Sequence, residues 1–258
     1  MSLKKYQIYG ERCSGTNILD TTLMKNFEAV NVFNEIKDIT DKKFKKYGHK
    51  HWFGNHLDLR DTDDTLFICI VRDPIKWLNS FYRTPHFLKK TMVQSRNTFL
   101  NTEFRSNCYI YSKEINTVNW QVEETNIYTG KPYKNIFELR YLKLRWMYED
   151  LPKLVKNYIF IRYEDLMEDF QGTMKKIHNK GLKKKGDITN DIKEMKKWMK
   201  RDSYKNVEES TFEFAQIDPI EKIKPWFKNT FEDFLKLDIK DYPKEYIHYE
   251  KLFGYYKL

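Results

Sequence analysis

The sequence predicts an α/β fold: a parallel sheet in a three-layer arrangement, with helices on both faces. Three observations carry that expectation. Segments at 5–9, 66–71 and 158–161 read as short strands. The run Leu66-Phe67-Ile68-Cys69-Ile70-Val71 is apolar without a break, which suits a parallel strand buried on both sides. Stretches with apolar residues at helical spacing separate these segments, and such alternation is the mark of a parallel sheet with crossover helices.

In chain order, the first strand, 5–9, meets Gly10, and a loop over 10–17 leads into a helix from about Ile18 to Phe27. Ile18, Leu19, Leu23 and Phe27 share one face of that helix. A second strand is expected near 48–53, and the third is 66–71. Asp73-Pro74 then starts a helix, with Asp as N-cap and Pro at the first helical position. It is expected to run through Phe81 and on toward Phe87. Residues 91–135 are polar, rich in Asn and Thr and weakly patterned, and read as an insertion or lid within a single domain spanning 1–258. A helix over 137–155, a buried strand at 158–161 and a helix after Tyr163-Glu164-Asp165-Leu166 follow. Residues 178–187 read as a solvated basic turn, and the remainder as mostly helical up to Leu252-Phe253-Gly254-Tyr255.

A chain of 258 residues is long enough for one sizeable α/β domain. Its 40% hydrophobic and 16% aromatic content excludes a disordered chain. No run of 18 apolar residues occurs, so no membrane span is expected. Met1-Ser2-Leu3-Lys4-Lys5 passes directly into the first strand, and no Asn-x-Ser/Thr acceptor is present; the expectation is no secretory leader and cytoplasmic residence. Three cysteines, odd in number and far apart, argue against a disulfide framework. A net charge of +10 suits an anionic partner such as a nucleotide, a nucleic acid or an acidic glycan. A composition rich in Lys, Asn, Ile and Tyr yields the same charge with no such partner, so charge alone does not decide function.

The loop Gly10-Glu11-Arg12-Cys13-Ser14-Gly15-Thr16-Asn17 joins a strand to a helix. In that setting backbone N–H groups and the helix start form an anion site. The two glycines have the spacing of a nucleoside-triphosphate loop, but Thr16 and Asn17 stand where that loop needs Lys and Ser/Thr for the terminal phosphates and magnesium. Such a loop can still hold a phosphosulfate, which bears less charge; an ordinary strand–turn–helix junction is the plainer alternative. Cys13 suggests a phosphatase nucleophile, but the Arg required six residues later is Leu19.

Arg72 ends the third strand, and Ser80 lies eight residues later, roughly 9 Å along the helix that starts at Pro74. A guanidinium fork and a hydroxyl so placed can reach one phosphate. Arg12-Cys13-Ser14-Gly15-Thr16-Asn17, then Arg72-Asp73-Pro74 with Ser80, then Arg162-Tyr163-Glu164-Asp165-Leu166 resemble, in order, three motifs of the sulfotransferases that use 3′-phosphoadenosine 5′-phosphosulfate (PAPS). The resemblance covers about residues 6–170, and the ending Leu252-Phe253-Gly254-Tyr255 is similar to the close of many bacterial members. It implies a P-loop NTPase-like sulfotransferase fold, with PAPS or adenosine 3′,5′-bisphosphate bound by Arg12, Cys13, Ser14, Gly15, Thr16, Asn17, Arg72, Ser80 and Tyr163, the last against adenine. It implies no metal.

The resemblance also implies a base. Members carry Lys-x-His a little over twenty residues before the Arg of the second motif, and here Gly48-His49-Lys50-His51-Trp52 puts His51 twenty-one residues before Arg72. A neutral imidazole suits that work; a packing histidine, or a metal site of His49, His51 and His56, are the alternatives. The basic residue of the first motif ordinarily stands directly before Ser-Gly-Thr. Here Cys13 holds that place, with Arg12 one residue earlier, so Arg12 or Lys50 is expected to supply the cation at the bridging oxygen. A C-terminal Arg-Lys-Gly clamp for the 3′-phosphate is missing, with Lys222 and Lys224 as substitutes, and so is a tryptophan that packs adenine in some members. The expected activity is sulfuryl transfer to a hydroxyl or amine, with a glycan as one acceptor and Tyr109, Tyr111, Trp120 and Tyr128 available to stack on sugars. Nucleic acid is not the expected partner. A small-molecule kinase, or an inactive scaffold binding a polyanion or nucleic acid, are the rival readings.

Overall fold

The computed structural model describes residues 2–35, 42–85, 88–112, 117–193 and 242–256. Its strands are β1 (Lys5–Tyr9), β2 (Val30–Asn31), β3 (Thr65–Val71), β4 (Asn107–Ser112), β5 (Thr117–Glu123) and β6 (Tyr158–Arg162). Its α-helices are α1 (Thr16–Asn26), α2 (Lys42–Tyr47), α3 (Pro74–Arg83), α4 (Arg96–Asn101), α5 (Ile136–Arg145), α6 (Leu151–Leu154), α7 (Tyr163–Glu168), α8 (Phe170–Asn179) and α9 (His248–Leu252). Four strands form an all-parallel sheet in the order β2-β1-β3-β6, and β4 and β5 form a separate antiparallel pair.

β3 is buried at all of its positions, which is why its sequence shows no polar alternation. On one face of the sheet, Ile8, Ile68 and Ile70 share a core with Leu19 and Leu23 of α1, Leu166 of α7 and Met174 of α8. On the other face, Tyr9, Phe67, Cys69 and Val71 pack against Leu144 of α5, Trp146, Leu151 of α6 and Tyr249 of α9. The fold is therefore α/β, with a parallel sheet covered by helices on both sides. A third core joins Trp77 and Phe81 of α3 to Phe99 of α4, Phe104, Tyr133 and Phe137 of α5.

Strands stand at 5–9, 66–71 and 158–161 as expected, and four departures have physical causes. The second strand is Val30–Asn31, beside Lys5 and Tyr6, too short for its pattern to announce it. Residues 48–53 are no strand but a turn, in which His49 and Trp52 exchange backbone bonds of 3.1 and 3.0 Å and Gly48 takes a φ of 63°. α3 stops at Arg83, because a residue before proline, here Thr84 before Pro85, disfavours the helical region; Phe87 lies outside the described residues. The turn after α8 is only partly solvated: Leu182 is buried and pairs with Leu3, and Lys184 pairs with Phe27. The expected helix over 137–155 forms as α5 and α6 joined by a π-helical turn at Trp146–Asp150. Within 91–135, Met92, Phe99, Leu100, Phe104 and Tyr133 are buried in the third core, so these parts are bound into the molecule by apolar packing. Among the described residues no helix is long and apolar enough to cross a membrane.

Candidate active site

From β1 the chain moves to β2 on one side, then returns to lay β3 on the other. The segments leaving β1 and β3 diverge, and in open parallel sheets ligands settle in the crevice this leaves at the carboxyl ends of the strands. The loop at 10–17 leaves β1 there, and Arg72 leaves β3 beside it.

The loop's backbone explains its residues. A Cβ on Gly10 would lie 2.6 Å from the Ile70 carbonyl oxygen. Gly15, the N-cap of α1, has a φ of 97°, and a Cβ there would lie 2.4 Å from Cδ2 of Tyr163. Glycine removes both obstacles. Because Gly15 has no side chain to cap the helix, and the first turn of α1 carries no acidic residue, the orphan amides and the positive end of the dipole face the crevice. Ser14 is buried, and its Oγ has no hydrogen-bond partner. An unpaired buried hydroxyl costs about 1–3 kcal/mol, a deficit that an anion oxygen at this helix start makes good.

The second motif closes on the first. Arg72 Nη1 donates to the Cys13 carbonyl at 2.9 Å, and its Cζ lies 4.8 Å from the centre of the Tyr163 ring. Its buried Nε has no partner. The Ser80 hydroxyl lies near enough to the Cys13 thiol to lower its pKa, while Cys13 Sγ donates to the Thr84 carbonyl at 3.9 Å. Arg72 and Ser80 thus meet at one loop residue, and Tyr163 lies against both Gly15 and Arg72. Burial pushes the Cys13 pKa up, against Ser80, Arg12, Arg72 and Arg83, so the group is a thiol at neutral pH and poorly suited to attack phosphorus.

Lys50 and His51 reach the loop from the opposite side. The Gly10 N–H donates to the Lys50 carbonyl at 3.0 Å, and the Gly10 carbonyl lies 2.6 Å from His51 Nδ1. A carbonyl can only accept, so Nδ1 is the protonated nitrogen and Nε2 keeps its lone pair. Burial first, then His49 and Lys50, hold the His51 pKa well below 6.5, which leaves the ring neutral at pH 7. Lys50 Nζ donates to Asn17 Oδ1. Burial lowers the Lys50 pKa, and Asp20 opposes it, favouring the ammonium.

Arg12 behaves otherwise. It is 1% exposed, with its guanidinium among the rings of Trp52, Phe81 and Phe104 at 5.0, 5.0 and 5.4 Å. Nη1 donates to Ser106 Oγ at 2.9 Å, and Nη2 pairs with Glu124 Oε2. Trp77 Nε1 donates to the Arg12 carbonyl at 2.7 Å. The expectation that Arg12 presents a cation or a donor to the ligand is thereby corrected: the buried carboxylate of Glu124 draws its charge inward. Of the two candidate cations, Lys50 is the one beside the loop's helix start.

The residues behind this correction, Ser106, Glu124 and Lys143, carry no motif. One signal was available: Ile136, Arg140, Lys143 and Met147 lie on one stripe at helical spacing, and two basic residues in an apolar stripe indicate buried partners. Arg140 Nε and Nη2 donate to the two Glu250 oxygens at 2.5 and 2.9 Å, and Nη2 also donates to the Arg72 carbonyl at 2.6 Å. Tyr128 donates to Asp150 Oδ2 at 2.5 Å beneath the Arg145 guanidinium. That ring is engaged in packing. The side chains of Tyr109, Tyr111 and Trp120, and the whole of Lys222 and Lys224, lie outside what is described. Among the described residues no cluster of three or more His, Cys, Asp or Glu side chains is placed to hold a metal ion, so His49, His51 and His56 do not form one.

Compared with known proteins, the chain matches no protein-family model and no curated protein.

Proposed function

We propose that the chain is a PAPS-dependent sulfotransferase on the P-loop NTPase-like sulfotransferase fold, transferring a sulfuryl group to a hydroxyl or amine acceptor. The observation that carries this reading is a convergence at the carboxyl ends of β1 and β3. An uncapped helix start with a partnerless Ser14 hydroxyl, the Arg72–Ser80 pair, and a neutral histidine whose Nε2 keeps its lone pair meet around one loop. The unsatisfied Ser14 Oγ and Arg72 Nε fit a ligand rich in anionic oxygens.

In this proposal the amides of Gly15, Thr16 and Asn17, with Ser14 Oγ, hold the 5′-phosphate. Arg72 and Ser80 hold the 3′-phosphate, and Tyr163 flanks adenine. Cys13 shapes the loop. Bound PAPS supplies the sulfuryl group. His51 Nε2 takes the proton of the acceptor as its oxygen or nitrogen bonds to sulfur. Lys50 meets the charge that develops on the oxygen released from sulfur. The work is positioning and electrostatics, as in phosphoryl transfer. Among acceptors, a glycan suits the net charge of +10.

A thermal-shift comparison tests the donor. Stabilisation by adenosine 3′,5′-bisphosphate is expected. Stabilisation by magnesium-ATP instead identifies a kinase, and by neither a polyanion-binding scaffold. With labelled PAPS and a panel of sugars and phenols, His51→Ala should lower turnover about 10²-fold or more while bisphosphate affinity persists, and Arg72→Ala should weaken that affinity. Full turnover in His51→Ala would falsify the base assignment.

A further inference from the structure

Lys143 lies on α5, is 1% exposed, and has the three donors of an ammonium. Two of them have acceptors, the His51 carbonyl at 2.6 Å and Glu124 Oε1, and the ammonium also forms an ion pair with Glu11 Oε1 at 3.1 Å. Glu124 takes Lys143 on one oxygen and Arg12 and Ser106 on the other. Burial opposes its ionisation, but Arg12 and Lys143 outweigh burial and lower its pKa. Burial raises that of Glu11, against Lys143.

His51 needs an external support because its segment is a turn with no sheet ladder to hold it. Its amide donates to His49 Nδ1 at 3.1 Å, its Nδ1 to Gly10, and its carbonyl accepts from Lys143. The same ammonium reaches the loop through Glu11 directly and through Glu124 to Arg12. The two halves of the site, the loop after β1 and the histidine, are thus tied to one buried charge.

We propose that Lys143 is a positioning residue: bridging the His51 carbonyl to Glu124 and Glu11, it sets the His51 ring against Gly10 and so holds Nε2 at a fixed place relative to the loop. This deepens the sulfotransferase reading and rests on it for the consequence on turnover, but the ring's tautomer is a property of the protein alone. Reactions that depend on alignment lose rate steeply when a group is misplaced by an ångström.

Lys143→Met alone strands the buried carboxylate of Glu11, so the test uses the charge-balanced pair Glu11→Gln/Lys143→Met, which keeps Arg12 with Glu124. Glu11→Gln/Lys143→Gln serves the same purpose should the methionine pair not fold. The imidazole nitrogens of His51 are read by long-range proton–nitrogen NMR, with His51→Gln for assignment. The parent should show one neutral tautomer, protonated at Nδ1; the double variant should show a mixture. Turnover should fall about 10-fold or more, with the affinity for adenosine 3′,5′-bisphosphate within about 3-fold of the parent. A double variant with the parent's single tautomer overturns the proposal, whatever its turnover. A parent that neither binds the bisphosphate nor transfers sulfuryl groups sinks the sulfotransferase reading, and the tautomer comparison still decides the role of Lys143.

Discussion

Gly15 answers two demands at once. Its φ of 97° and the Tyr163 ring pressing on the place of a Cβ both exclude a side chain. Gly15→Ala should therefore lose about 1–2 kcal/mol from left-handed backbone alone, read by chemical denaturation, and should weaken nucleotide binding as Tyr163 is displaced. His51 makes a second prediction. Its pKa lies well below 6.5, with burial the largest cause, so the neutral base persists as pH falls past that value. The acid limb of turnover should lie below pH 6.5, and the alkaline limb, set by Lys50 with its lowered pKa, below 10.5. An acid limb above pH 6.5 would place the base elsewhere. Arg12 shows why residue types alone mislead: its number in the motif pointed to the ligand, while Glu124, over a hundred positions away, claims its guanidinium.

At the scale of elements, the strand ends do the positioning. Register aligns Tyr9 with Cys69 and Val71 with Arg162, which brings the loop, Arg72 and Tyr163 to one edge of the sheet. α9 supports this edge from behind. Glu250, fully buried, accepts from Arg140, which in turn donates to the Arg72 carbonyl, and Tyr242 donates to Glu250 at 3.1 Å. Glu250→Gln removes the charge that the buried guanidinium needs; a broken buried pair costs about 3–5 kcal/mol. The expected outcome is a lowered melting temperature together with weaker bisphosphate binding, the second because Arg72 loses a support. Unchanged binding in a folded Glu250→Gln protein would show that Arg72 is held without α9.

Across the whole molecule, acid should destabilise. His49 and His51 are both buried with pKa values well below 6.5, burial being the largest cause for each. The unfolded chain, with pKa near 6.5, takes up protons first as pH falls, so their contribution is complete above pH 6.5 and declines below it. Melting temperatures followed from about pH 8 to 5 should fall below pH 6.5, and the fall should be shallower in His51→Gln. The amino-acid sequence alone determined the local and periodic features: the buried runs that became β1, β3 and β6, the Asp73-Pro74 start of α3, and the glycines of the loop. These depend on neighbours within a few residues, so order along the chain reports them. The tertiary structure alone decided the remainder. It made 48–53 a turn against Gly10, paired two-residue β2 with β1, and buried Arg12 against Glu124 and Lys143. Those outcomes depend on charges and surfaces brought from distant positions, and a buried charge takes whichever partner the fold places beside it.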